Sequence, residues 1–313
     1  MPRATTVIAV HNGRQYIDDA VNSVLNQDIT DHELIVVDDG STDGTAEFVE
    51  SLLSRQDRVA WRLIRFEQNR GRCAARNQGL EAARGEWVQI LDCDDQYAPE
   101  KLRLQLECTE LSDERVAAVY SPYRQYHINN TGQKIWEESI FPDIEYVNPA
   151  NFVLKSGAVH HSCMLLRRSA ILAVGGYQTA YEPWEDEEIK LRLVRAGYCF
   201  RRTTETHPLF FFRLFPEQSR WGGQEARYNI LRVADALVAY LRDVESDPRA
   251  LYPALTDAQA GEVQWLLRTV GRLLLRVDPV RYHRFEGAAN ALFPKSIRWH
   301  QGLRWRLAAL AHR

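Results

Sequence analysis

Two acidic clusters, Val37-Asp38-Asp39-Gly40-Ser41-Thr42-Asp43 and Leu91-Asp92-Cys93-Asp94-Asp95, each follow a short apolar run in this 313-residue chain. A carboxylate at the end of a buried strand is costly to desolvate unless a metal, a hydrogen-bond donor or water satisfies it. Open α/β sheets bind their ligands just beyond the carboxyl ends of the strands. The Asp92-x-Asp94 spacing can set two carboxylates on one side of a turn. That suits a hard divalent cation that keeps waters and takes substrate phosphates as its remaining ligands. A diphosphate is the natural partner, because such an ion offsets the charge that develops on a leaving nucleoside diphosphate. A bare D-x-D is a weak signal, and the competing reading makes Asp92, Asp94 and Asp95 turn formers and a helix cap ahead of Pro99.

The elements that must position these clusters are legible as periodicity. Thr6–Val10, Leu34–Val37 and Trp61–Ile64 read as buried strands, and Trp87–Leu91 as a fourth. Between them Tyr16, Ile17, Ala20, Val21, Val24 and Leu25 repeat at helical spacing, as do Ala46, Val49, Leu52 and Leu53, and a helix is expected from Arg72 to Ala83. Strand and helix alternating every 25 to 30 residues or so predicts a mostly parallel sheet with right-handed crossovers. After Tyr120 the prolines, asparagines and aromatics predict loops and short strands up to about residue 150. A strand is then expected at Cys163–Leu166, a turn at Gly175-Gly176, a helix from Asp186 to Arg195 and a strand at Leu209–Phe212. From Glu225 the pattern is all helical, ending in an amphipathic basic helix, Ile297–Leu310, that carries Trp299 and three leucines beside Arg298, Arg304 and Arg306.

The motifs occur in an informative order: Thr6-Val-Ile-Ala-Val-His-Asn12, Ser23-Val-Leu-Asn-Gln27, Glu33 to Thr45, Asn69-Arg-Gly-Arg-Cys-Ala-Ala-Arg-Asn-Gln-Gly79, and Leu91-Asp-Cys-Asp-Asp95. Further on come Leu166-Arg-Arg-Ser, Gly175-Gly-Tyr177 and Trp184-Glu-Asp-Glu-Glu188 with Arg192 and Gly197. In order and spacing this set resembles the family 2 glycosyltransferases over roughly residues 4 to 220. The resemblance implies an α/β GT-A fold, a nucleotide-sugar donor, a divalent metal (Mn or Mg) and inversion at the anomeric carbon. It implies a catalytic domain over residues 1–222, split into a nucleotide-sugar half (1–121) and an acceptor half (122–222), ahead of a helical region at 223–313.

Carried over residue by residue, the resemblance places Ala9, Val10 and Asn12 at the base pocket and Asp39, with Asp38 beside it, on the base. Arg76 would lie near base or phosphates, with Cys93 between the two D-x-D aspartates. Asp94 would be the direct metal ligand and Asp92 a contact to the ribose or to a metal-bound water. Inverting transfer needs one base for the acceptor hydroxyl; the family's Glu-Asp motif nominates Asp186, with Glu185 its nearest rival and Trp184 a wall for the sugar. The simpler readings are that Asp38 and Asp43 cap the next helix, that Arg76 is a surface helix residue, that Asp186 is a cap, and that Glu187 and Glu188 form the solvated start of a helix.

Two departures stand out. Phe215 occupies the place where many members carry a metal-completing His, so that phosphate and water, or His207, or a residue of Glu217–Arg220, would fill the shell. Strand one ends in Ala9-Val-His-Asn12 rather than a Pro-containing sequence, which leaves His11 either near the base or simply packed. His160-His161 could face the acceptor or form a buried pair, and Tyr123, Tyr126, Trp136 and Tyr146 could stack sugar rings.

Composition bounds the rest. A net charge of -3 gives no global footprint for nucleic acid. Five widely spaced cysteines without a C-x-x-C pair encode neither a disulfide framework nor a zinc ribbon, and a cytoplasmic setting is expected. No apolar run approaches membrane-span length. Residues 225–313, with 14 basic and 9 acidic side chains, oppose the acidic body; the basic helix there suggests contact with an anionic membrane face, where a lipid-linked acceptor would reside, or else packing. The expected function is transfer of one sugar, from a UDP-sugar first of all, to a glycan or lipid-linked acceptor in bacterial surface polysaccharide assembly. Its rivals are an inactive family member acting as scaffold or glycan-binding partner, and a sugar nucleotidyltransferase, which would show a glycine-rich phosphate loop where only Asn12-Gly13-Arg14 stands.

Overall fold

The computed structural model describes residues 2–142, 159–182 and 185–215, together with His283 and Glu286. The first half alternates as the periodicity predicts: β1 (Ala4–Val10), α1 (Ile17–Leu25), β2 (His32–Asp38), α2 (Thr45–Leu53), β3 (Ala60–Arg65), α3 (Arg72–Ala82) and β4 (Trp87–Asp92). The stripe Ile17, Ala20, Val21 and Val24 buries α1, and β1 and β2 are almost wholly covered on both faces. β3, β2, β1 and β4 pair in parallel in that order. Contrary to the expectation of a buried strand, β3 is only partly covered; among the described residues it is the sheet's edge, with β2 as its one strand neighbour.

The chain then adds β5 (Gln96–Tyr97), α4 (Lys101–Leu106), β6 (Val116–Tyr120), β7 (Tyr123–Ile128), β8 (Lys134–Ile140), β9 (Met164–Arg167), α5 (Arg168–Ala173), α6 (Glu185–Arg195), β10 (Cys199–Arg202) and β11 (Phe210–Leu214). Among the described residues the main sheet has the order β10-β6-β9-β4-β1-β2-β3, with β9 antiparallel to both β4 and β6. The loosely patterned stretch after Tyr120 contributes the β7–β8 hairpin to a second sheet, β5-β11-β7-β8, in which β11 runs parallel to β7. Tyr123 and Tyr126 are buried there, whereas Trp136 stays 39% exposed beside Tyr126 and Phe211.

Two glycines set the architecture near the carboxyl ends of the strands. At Gly79 of α3 an added Cβ would stand 2.3 Å from a methyl of Val7, so only glycine lets the helix lie directly on β1. At Gly40, with φ +69°, a Cβ would meet the Gln68 and Asn69 backbone at 2.5 to 2.6 Å. That backbone-on-backbone contact brings the loop after β2 against the loop before α3.

Glu187 and Glu188 are not a solvated helix start. Glu188 is buried and grips Arg192 through two oxygens, and Glu187 pairs with the fully buried Lys190 at 2.6 Å. Arg192 in turn donates to the carbonyls of Val174 and Gly176, which holds α6 to the glycine turn after α5. Trp184, Tyr146, Glu217–Arg220 and, apart from His283 and Glu286, the expected helices of residues 225–313 with the basic Ile297–Leu310 segment lie outside the described residues. No helix among the described residues is long and apolar enough to cross a membrane.

A second buried lysine, Lys101, donates to Gln89 Oε1 (2.8 Å) and Gln105 Oε1 (2.7 Å) over the Tyr97 ring. Burial pushes its pKa down from 10.5 to about 7, with Cys163 acting weakly in the other direction. The unfolded chain therefore binds the extra proton between pH 7 and about 10.5, and this residue's contribution to stability rises with pH across that window. Wild type should gain on Lys101→Met by up to about 1.4 kcal/mol per pH unit between pH 7 and 9, read from urea unfolding midpoints. A constant difference would remove the buried charge from the account.

Candidate active site

A cavity of about 410 Å³ opens where β1, β2 and β4 end. Its walls come from Ala9 and Val10 at the end of β1 and His11 just after it, Asp39 after β2, Asn69 and Gly71 before α3, Arg72, Ala75 and Arg76 in its first turns, Asp92 at the end of β4 with Cys93 and Asp94 after it, and Glu182. Each wall is fixed by local hydrogen bonds. The Asp39 amide donates to Val10 O at 2.7 Å, and its carboxylate accepts from the Arg70 and Gly71 amides at 2.7 and 3.0 Å, which latches the two loops that Gly40 brings together. His11 Nδ1 lies 2.8 Å from Asp39 O. Glu182 caps α3 by accepting from the Cys73 amide at 2.8 Å.

Of the site residues nominated from the sequence, Ala9, Val10, Asp39, Arg76, Asp92, Cys93 and Asp94 meet at one cavity. Asn12 and Asp38 do not line it. Asn12, at φ +52°, accepts from the Thr42 amide, and Asp38 is buried beneath the turn, accepting from the Ser41 amide at 2.7 Å. Asp43 caps α2 by accepting from the Thr45 amide. Asp186 is absent from the lining; it sits in the first turn of α6, and its Oδ1 accepts from the Glu187 amide at 3.0 Å. The wall also contains residues not singled out from the sequence: Asn69, Gly71, Arg72 and Ala75, all inside the recognised Asn69–Gly79 block, and Glu182, which no local pattern marks.

The centre of the site is an ion triad. Arg76, 5% exposed, donates from Nη1 to Glu185 Oε1 and from Nη2 to Asp92 Oδ1, both at 2.9 Å. Burial disfavours the guanidinium charge, but Asp92 and then Glu185 outweigh it, and the Arg76 pKa rises. Burial would raise the Asp92 carboxyl; Arg76, His160 and Arg72 together hold it far below the usual range. Asp92 keeps about a third of its side chain open to the cavity (32%), whereas Glu185 is sealed (1%), and burial pushes its pKa up against the pull of Arg76. Burial opposes the Asp186 carboxylate, but Lys190 first and Arg76 with it lower its pKa overall, which leaves it ionised at neutral pH. His161, driven to about 3 by burial and Arg76, is neutral and bonds the Tyr177 hydroxyl at 2.6 Å. His160 stacks on Phe210 and Phe212.

Two carboxylates, Asp92 and Asp94, share one wall of an open cavity, and among the described residues no group of three or more His, Cys, Asp or Glu side chains forms a complete metal cage. This fits a cation that takes its other ligands from water and substrate. His207 pairs with Glu100 at 3.1 Å and is not part of the lining, and Phe215 packs edge-on against Tyr16. Neither supplies a ligand to this wall.

The model of the family described as glycosyl transferase family 2 matches residues 5–175, more than half of the chain, which therefore belongs to that family. A putative teichuronic acid biosynthesis glycosyltransferase of Bacillus subtilis (TuaG) is 40% identical over 106 residues, 34% of this chain and 41% of that protein. The succinoglycan biosynthesis protein ExoO of Rhizobium meliloti is 38% identical over 117 residues, 37% of this chain and 32% of its own. The matched stretch is thus well under half the length of these relatives. Among solved structures, a mannosyltransferase of Pyrobaculum calidifontis with GDP-Man and Mn2+ superposes with a TM-score of 0.61 at 20% identity, covering 100% of this chain and 81% of that one. S. aureus TarS 1–349 with UDP gives 0.56 at 17%, covering 92% and 88%. At these identities the likeness is one of fold, and the fold is GT-A.

Arg76→Met would leave Glu185 sealed and uncompensated and should cost about 3–5 kcal/mol in urea unfolding. The double variant with Glu185→Gln should recover part of that loss. A loss under 1 kcal/mol, within the range of exposed pairs, would mean that the triad is not the structural centre of the site.

Proposed function

We propose that this protein is a metal-dependent inverting glycosyltransferase that moves one sugar from a nucleotide-sugar, a UDP-sugar first of all, to a hydroxyl of a glycan or lipid-linked acceptor in bacterial surface polysaccharide assembly. The observation that carries the reading is the meeting, at one cavity of a family 2 chain, of the Asp39 turn with the Arg76, Asp92 and Asp94 set. The names of TuaG, for teichuronic acid biosynthesis, and ExoO, for succinoglycan biosynthesis, support the polysaccharide setting. In this reading residues 1–222 are the catalytic unit and 223–313 a helical region.

The base of the nucleotide would lie against Ala9 and Val10 with Asp39 as an acceptor and Cys93 in the same wall, while Asn12 and Asp38, expected there from the sequence, would act from behind by bracing the turn. Asp94, with Asp92, would hold the divalent cation, Mn or Mg, which when bound offsets charge developing on the leaving diphosphate. Charge favours that requirement: among the described lining residues the carboxylates Asp39, Asp92, Asp94 and Glu182 stand with the guanidinium groups of Arg72 and Arg76. A diphosphate alone would enter a net negative site. Arg76 orients Asp92, and Glu185 holds Arg76. Asp186, ionised at neutral pH, would accept the proton of the attacking hydroxyl while the diphosphate leaves from the opposite face of the sugar.

Calorimetric titration of UDP, GDP and dTDP should show micromolar binding of one nucleotide with manganese and at least about tenfold weaker binding without it. No binding in either condition would favour the scaffold reading. Asp186→Asn should leave that affinity within about twofold and lower turnover by a factor of about 100 or more. Normal turnover would move the base elsewhere, Glu185 first. The basic segment Ile297–Leu310 would contact an anionic membrane face, the alternative being packing against the catalytic unit or a second subunit. Removing residues 295–313 should abolish sedimentation with phosphatidylglycerol vesicles, and equal sedimentation would refute that assignment.

A further inference from the structure

The two arginines of the cavity are not equivalent. Arg76 has both terminal nitrogens committed to carboxylates at 2.9 Å and is 5% exposed, so its charge is compensated within the protein. Arg72, one helical turn earlier on α3, is 44% exposed and lines the same cavity. Among the described residues its one ion-pair contact is Glu185 Oε1 at 3.7 Å, an oxygen that already accepts from Arg76 at 2.9 Å. Arg72 thus brings to the cavity a guanidinium with its donors largely uncommitted, opposite a wall of aspartates that a phosphate could approach only through a cation.

Resting on the glycosyl-transfer reading, we propose that Arg72 is the side chain that binds the donor's diphosphate oxygens directly, and that Arg76 serves as a positioning residue beneath it. A planar guanidinium offers paired N–H groups that match two phosphate oxygens. Its location on the first turn of α3 lets it span from the Glu185 side of the site to an anion in the cavity without disturbing the triad. The same chemistry would serve a carboxylate on an acidic donor sugar, so the test separates the two sources.

The probes are the nucleoside diphosphate that wild type binds and that diphosphate's glucose and glucuronic acid esters, all with manganese, titrated into wild type, Arg72→Met, Arg72→Lys and Arg115→Met. Arg115 is exposed and pairs with Asp113 outside the cavity, so its variant controls for net charge. Arg72→Met should raise the diphosphate Kd about tenfold or more with an unchanged unfolding temperature. Arg72→Lys should recover part of that loss, and Arg115→Met should match wild type. Unchanged diphosphate affinity in Arg72→Met overturns the proposal alone. A loss confined to the glucuronic acid ester overturns the phosphate assignment and moves Arg72 to the sugar. Absence of nucleotide binding by wild type overturns the glycosyl-transfer reading, and the proposal falls with it.

Discussion

The site is organised around one guanidinium, Arg76, held between Asp92 and Glu185. A cation so nearly sealed from water is stable only when carboxylates compensate it, and these two come from distant parts of the chain: one ends β4 and the other begins α6. Their shared need for Arg76 docks the second half of the chain onto the first. It also fixes the rotamer of Asp92, leaving the remaining face of that carboxylate toward the cavity. The structural interaction and the orientation of a functional group are the same set of hydrogen bonds.

Around that centre the walls are built from backbone as much as from side chains. Asp39 spends its carboxylate on two amides, Glu182 spends an oxygen on another, and Asn12 and Asp38 brace the turn from behind. Preorganisation of this kind lowers the ordering cost of binding, because the loops are held before a ligand arrives. β11 contributes from the far side, the Arg213 amide donating to Asp95 at 2.9 Å, so that the second sheet steadies the acidic turn.

The alternating strands and helices of the first 92 residues were legible because their apolar periods are strong and each strand is closely followed by its crossover. The cavity residues within the D-x-D and Asn69–Gly79 blocks were legible for the same reason: local motifs place them at strand ends and a helix start. What the sequence hid is what depends on tertiary pairing. Glu187 and Glu188 look solvated by composition, yet their partners Lys190 and Arg192 draw them inward one helical turn away. Glu182 carries no local signature, since its role arises only where its loop crosses the start of α3. The partial exposure of β3 follows from strand order, which periodicity does not encode.

The contact at Gly40 bears on how such a site can change over evolutionary time. Because backbone meets backbone there, no side chain at that contact can be exchanged to change how closely the two loops approach. Variation in what the pocket accepts is left to lining side chains that do not hold the loops, such as the half-exposed Arg72, rather than to Glu182 or His11, which bond the main chain. A fixed spacing of the loops beside exchangeable lining side chains lets selectivity drift while the fold stays constant.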